Sequence, residues 1–149
     1  MKTLVSLFMT VIFAVGAVGQ GLSVAESSKK PGDIIRYTIK FEKPLGEDVQ
    51  LIDLGFNLIT ERHEDQKGQP EQFDLTNLIP KSPTEYEVEG AIPNVMSGTY
   101  LLRSVQVRTK GGAVRNYSYP TDFAQENRVR VESGTKDIFP NIKSVTPSH

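Results

Sequence analysis

The chain has no cysteine and no tryptophan, and only two histidines among its 149 residues. Without cysteine there can be no disulfide, no thiolate metal ligand, no cysteine nucleophile and no lipid attached through a thiol. Small exported domains commonly use disulfides to compensate for limited burial, so this chain must rely on its core. Charge of one sign is also lacking, for the formal net charge is -1. A domain that is not basic overall, with no arginines gathered around an aromatic stacking platform, offers no footprint for nucleic acid. Helical periodicity is missing beyond the amino-terminal segment. No glycine loop therefore leads into a helix to cradle a phosphate, and no cofactor is expected. One internal histidine and no G-x-S-x-G elbow argue against a serine triad.

The single long apolar run lies at the start. Lys2 supplies a positive charge, and residues 4–18 (LVSLFMTVIFAVGAV) carry none. That pattern reads as a secretory signal peptide with a helical h-region, too short for the roughly 20 apolar residues of a membrane span. Ala17 and Gly19 place the expected cut after Gly19, leaving 130 residues, the size of one domain. The expected organisation is a signal peptide at 1–19, a folded domain at 20–133 and a tail at 134–149. Export without cysteine suits a bacterial secreted or periplasmic protein, in which the Asn116, Tyr117, Ser118 sequon is a chance match.

Beyond the signal the pattern is that of strands. Ile35, Tyr37, Ile39 and Phe41 alternate with Arg36, Thr38, Lys40 and Glu42, giving one buried and one wet face. Ile52, Leu54, Phe56 and Leu58 repeat this, with Gly55 among them as the sign of a bulge or a close backbone approach. Residues 61–72 (ERHEDQKGQPEQ) contain nothing apolar and are expected to be a solvated loop. Residues 73–79 should return to a sheet before Pro80, and Tyr86 and Val88 alternate with Glu85, Glu87 and Glu89 as a strand with an acidic outer face. The phase changes between Tyr100, Leu102 and Val105, Val107, which predicts an extra residue at Arg103 or Ser104. Lys110, Gly111, Gly112 form a hairpin turn, residues 113–119 return to Pro120, and the last strand is centred on Val129 and Val131. Seven or eight short strands with Gly, Pro and Asp turns predict an all-β fold, an antiparallel β-sandwich.

The run Ser97, Gly98, Thr99, Tyr100, Leu101, Leu102, then Val105, Val107 and the turn Gly111, Gly112, resembles the last hairpin of bacterial immunoglobulin-like surface and periplasmic domains. The resemblance spans about a third of the chain and implies an Ig-like sandwich with a role in binding or spacing. Thr109, Lys110, Gly111, Gly112 stand where those families often carry Asp and Gly-Asn, so no calcium site carries over. The Cys, Trp, Cys spacing of antibody domains is absent. Tyr100 is expected to turn its hydroxyl back onto the chain at a corner.

Charge is distributed unevenly. Residues 44–99 hold eleven acids against three bases, and residues from 100 onward eight bases against four acids. Complementary charges on consecutive strands of one sheet would explain this, and a bipolar surface steering a partner is the sharper alternative. His63, Glu64 and Asp65 are adjacent in a polar loop, a poor arrangement for converging on one metal ion. Together with Arg108, Arg115, Tyr117 and Tyr119 they are the candidate contacts for a protein or polysaccharide partner. The tyrosines could instead merely cover the core edge. The expected function is a non-enzymatic exported binding module or envelope accessory, contacting its partner through loop 61–72 and turn 110–113. A small secreted hydrolase or carbohydrate-active enzyme using surface carboxylates, and a purely structural subunit, are the alternatives.

Overall fold

The computed structural model describes residues 27–133 and 140–148. The expected signal peptide, its cut after Gly19 and the apolar pair Ile138, Phe139 lie outside them. Nine strands are described: β1 (Ser28–Lys29), β2 (Ile34–Lys40), β3 (Val49–Leu58), β4 (Gln72–Leu75), β5 (Asn77–Ser82), β6 (Glu85–Ala91), β7 (Gly98–Thr109), β8 (Val114–Ser118) and β9 (Arg128–Val131). One 3-10 turn, Glu64–Gln66, interrupts them. The chain is all-β in two sheets. The larger runs β1-β9-β7-β3-β4 with β8 also on β7, and the smaller runs β2-β6-β5. Among the described residues no helix is long and apolar enough to cross a membrane.

Alternation builds the core. Ile35, Tyr37 and Ile39 of β2 with Tyr86 and Val88 of β6 face Ile52, Leu54, Phe56, Leu75, Leu102, Val105 and Val107 of the larger sheet in one buried cluster. Aromatic rings join the layers, with Tyr37 at 5.4 Å from Phe56 and Phe56 stacked at 4.9 Å on Phe73. Phe41 packs against this cluster from just beyond the end of β2.

The shift in phase along β7 has the expected cause. Gly55 pairs with Ser104 but Phe56 pairs with Leu102, so Arg103 is the extra residue. A Cβ at Gly55 would lie 2.6 Å from Ser104 Oγ, so any larger residue there forces that hydroxyl to move. Tyr100 is fully buried, and its hydroxyl donates to Met96 O at 2.5 Å, closing the expected corner. Burial, with Glu71 nearby, pushes that hydroxyl well above the ordinary tyrosine range. Tyr100→Phe keeps the ring and strands the carbonyl, so the denaturant midpoint should fall by the equivalent of about 1–2 kcal/mol.

Three expectations need correcting. Loop 61–72 is not wholly solvated: Gln66 and Gln69 are buried, and Gln72 already belongs to β4. Residues 73–79 do not form one strand. The chain leaves β3's neighbour at Leu75 and pairs from Asn77 with β6 in the other sheet, and Pro80 sits within β5 opposite Tyr86. Proline is tolerated there because β5 ends its sheet and needs no donor on that side. Pairing is not purely antiparallel either, since β1 runs parallel to β9 through Ser28↔Arg130 and Lys29↔Val131. Two residues are too few to show a period, which hides β1 from sequence reasoning. In the tail, Ile142 and Val145 are exposed.

Candidate partner-binding surface

Pairing with β7 fixes the two faces of β8. Tyr117 lies opposite Val105 and Arg115 opposite Val107, so both take the core-facing side, while Asn116 and Ser118 share the outer side with Gln106 and Ser104. β8 is at the margin of its sheet, and there the core-facing side is only partly covered. The Tyr117 ring packs 6.3 Å from Phe41, and the Arg115 guanidinium carbon stands 4.6 Å from the Tyr117 ring centre. Such a stack contributes roughly 0.5–1 kcal/mol at an exposed site and holds the cation in one place. The Arg115 side chain remains 67% exposed, with Asp122 at 3.9 Å. Just beyond β8, Tyr119 packs at 5.8 Å on Phe123 and donates its hydroxyl to Glu126 at 3.1 Å. Desolvation and that carboxylate push its hydroxyl above the ordinary tyrosine range. Arg128 Nε also donates to Glu126. Both tyrosines thus pack against the core edge, and Arg115 projects from it.

The other candidates are elsewhere. Arg108 lies opposite Val114 and Leu51 on the outer side, the reverse face from Arg115. His63, Glu64 and Asp65 are exposed, and the His63 N–H donates to Met96 Sδ at 3.3 Å, beside the start of β7. Turn 110–113 follows the other end of β7, and twelve residues of strand separate the two ends by ~36 Å. The two expected contact loops therefore cannot serve one small contact. Among the described residues no group of three or more His, Asp or Glu side chains could hold a metal ion.

Within the smaller sheet the acids of β6 meet complementary cations on the strands beside it. Glu87 and Glu89 meet Arg36 at 3.6 and 2.5 Å, Glu85 meets Lys40 at 3.9 Å, and Glu87 meets Lys81 at 3.8 Å. Those cations come from β2 and β5. The bases after residue 100 pair close in sequence instead, as Arg130 does with Glu132 at 2.8 Å. Exposed pairs of this kind contribute roughly 0–1 kcal/mol each.

Sequence reasoning passed over one pair of groups. Asp53 of β3 and Asp74 of β4 lie on one face of the larger sheet, diagonally across the strand pair, and burial followed by the neighbouring Asp74 carboxyl pushes the Asp53 carboxyl up to about 6. Parity could have found them, since Asp53 and Gly55 share a face and Asp74 pairs with Gly55. No protein-family model, curated protein or solved structure matches the chain.

Proposed function

We propose that the chain is an exported, non-enzymatic bacterial domain of the Ig-like sandwich type that binds a protein or polysaccharide partner. Support for the fold reading comes from the grouping of β2, β6 and β5 against β3, β7 and β8, the parallel β1–β9 pair and the Tyr100 corner. The binding reading rests on the stack of Arg115 on Tyr117 on Phe41, an exposed cation held on an aromatic base at a sheet margin. Arginine and tyrosine are the residue types that dominate binding energy at interfaces. The protein lacking residues 1–19, immobilised and exposed to an envelope extract and to purified envelope polysaccharide, should retain a partner. Tyr117→Ala and Arg115→Ala should weaken retention at least tenfold, and Arg108→Ala, on the reverse face, should not. Equal retention by all three would remove this surface from the proposal.

The hydrolase alternative gains one observation, the raised Asp53 carboxyl. Its setting counts against it, because the two carboxyls stand on the outer face of a sheet and Asp74 is exposed to water. Glu85, Glu87 and Glu89 are each matched by cations of the neighbouring strands.

A further inference from the structure

Hydrogen-bond alternation along β8 decides which of its backbone groups are already taken. Thr109 N–H donates to Ala113 O and Tyr119 N–H to Arg103 O, both at 2.9 Å, so Arg115 and Tyr117, in phase between them, turn their N–H and C=O to β7. Val114, Asn116 and Ser118 turn theirs away. Ser118 is closed off locally, since its N–H donates to Asp122 Oδ2 at 2.8 Å and its C=O accepts from Asp122 N–H at 2.7 Å. The backbone N–H and C=O of Val114 and of Asn116 bond to no other group among the described residues, and β8 pairs with β7 alone. Both residues are exposed, Val114 by 51%. Free donors and acceptors beside an exposed valine are a template for another strand.

The other edges suit an added strand less well. β1 has two residues and β4 four, and β5 carries Pro80 and a register shift before Ser82. β2 is longer, but its Arg36 and Lys40 already meet Glu87, Glu89 and Glu85 of β6, so an acidic strand gains little there. Arg115 differs. Asp122 at 3.9 Å is beyond hydrogen-bond length, and the Tyr117 ring holds the guanidinium in place with its donors open. A second copy of the chain is a poor occupant. The two-fold antiparallel register that pairs all the free groups, Val114 with the partner copy's Asn116, sets Arg115 directly against its own equivalent, and like charges so placed repel.

We propose that this edge of β8 accepts an extended segment of a partner protein as an added antiparallel strand, with an Asp or Glu opposite Arg115 and an apolar side chain opposite Val114. This occupant rests on the partner-binding role of Arg115 and Tyr117. It favours a peptide over a polysaccharide, because a sugar chain has no row of amides spaced to match Val114 and Asn116. The acid lies on the core-facing side beside Arg115, in a pair without backbone bonds, where facing Cα atoms approach to about 4.5 Å. The apolar residue covers Val114 on the outer side.

The probe is a peptide of about seven residues, alternating Thr and Val around one Glu, added to the full chain while amide exchange is followed by NMR. Val114 and Asn116 amides should gain about tenfold protection at saturation, and those of Arg115 and of Thr38 on β2 should not change. The same peptide with Lys for Glu should bind about fivefold more weakly, and Arg115→Glu should reverse that preference. Asn116→Pro removes an outward donor without touching the ladder to β7, so Val88 should stay protected while peptide affinity falls by about tenfold. Should that variant fold poorly, a peptide N-methylated on its edge-facing amides should lose affinity for the native chain alike. No protection of Val114 and Asn116 at about 1 mM peptide, or protection of Thr38 instead, would overturn strand addition. A polysaccharide that needs Arg115 and Tyr117 but binds Asn116→Pro as well as the native chain would overturn it too and leave the surface standing. Indifference of every ligand to Arg115 and Tyr117 would remove both.

Discussion

Phe56→Ala is expected to lower the unfolding free energy by about 3–5 kcal/mol, a large share of what a single domain possesses. Phe56 is fully buried and touches three structural units at once. It stacks on Phe73 of β4, tilts against Tyr37 of the smaller sheet and sits in β3 beside the bulge of β7. Removing its ring takes away burial and leaves a cavity between two layers whose backbones are fixed by their own ladders, so the space cannot close. Urea unfolding followed by tyrosine fluorescence would measure it. Phe56→Leu fills most of the volume and should cost about half as much. Equal small losses in both variants would mean that the layers can move together, contrary to the rigid packing described.

Gln66→Ala should be the second most damaging change, at about 2–3 kcal/mol. Gln66 is 5% exposed in a loop whose composition is wholly polar. Its Oε1 accepts from Ser97 N–H at 2.8 Å, and its Nε2 donates to Ser133 O at 2.7 Å. Ser97 Oγ donates to the same carbonyl at 2.9 Å and accepts from Ser133 N–H at 2.9 Å. One glutamine therefore ties three chain segments at the entry to β7 and the exit from β9. Alanine leaves the Ser97 amide buried without an acceptor, while Ser133 O keeps the serine. The midpoint in urea should drop, and protection of the Ser97 and Ser133 amides should fall further than that of Val88. Gln66→Glu keeps an acceptor for Ser97 N–H but sets a buried carboxylate oxygen against Ser133 O, so it should lower the midpoint at least as far as alanine.

These two residues mark where the sequence is and is not informative about shape. Phe56 belongs to a period-two series, and such series located β2, β3, β6, the β7–β8 hairpin and β9 because inward side chains must be apolar whatever the partner strand. The bulge at Arg103 was legible for the same reason, as a break in phase. Gln66 was not, since a buried amide that satisfies two backbone groups has the same letter as a solvated one. The switch between sheets at Thr76 is hidden because Phe73, Leu75, Leu78 and Ile79 follow one another with no Gly or Pro between them, and periodicity says which face is buried but not which neighbour provides the burial. Of the candidate contacts, Arg115 and Tyr117 share one face of β8. Arg108 belongs to the preceding strand and faces the other way. Asp53 and Asp74 are 21 residues apart with a loop between, and the β3–β4 register brings them to one face.

The short parallel pair between Ser28, Lys29 and Arg130, Val131 sets a condition on the order of assembly. The first strand described can be seated only against the last, so a nascent polypeptide emerging from its amino end has no partner for β1 until β9 has been synthesised. β7 likewise waits for β9 along Gly98–Leu101. Closure of the β1 end and of the Gly98–Leu101 end of β7 therefore comes after the strands between them are made.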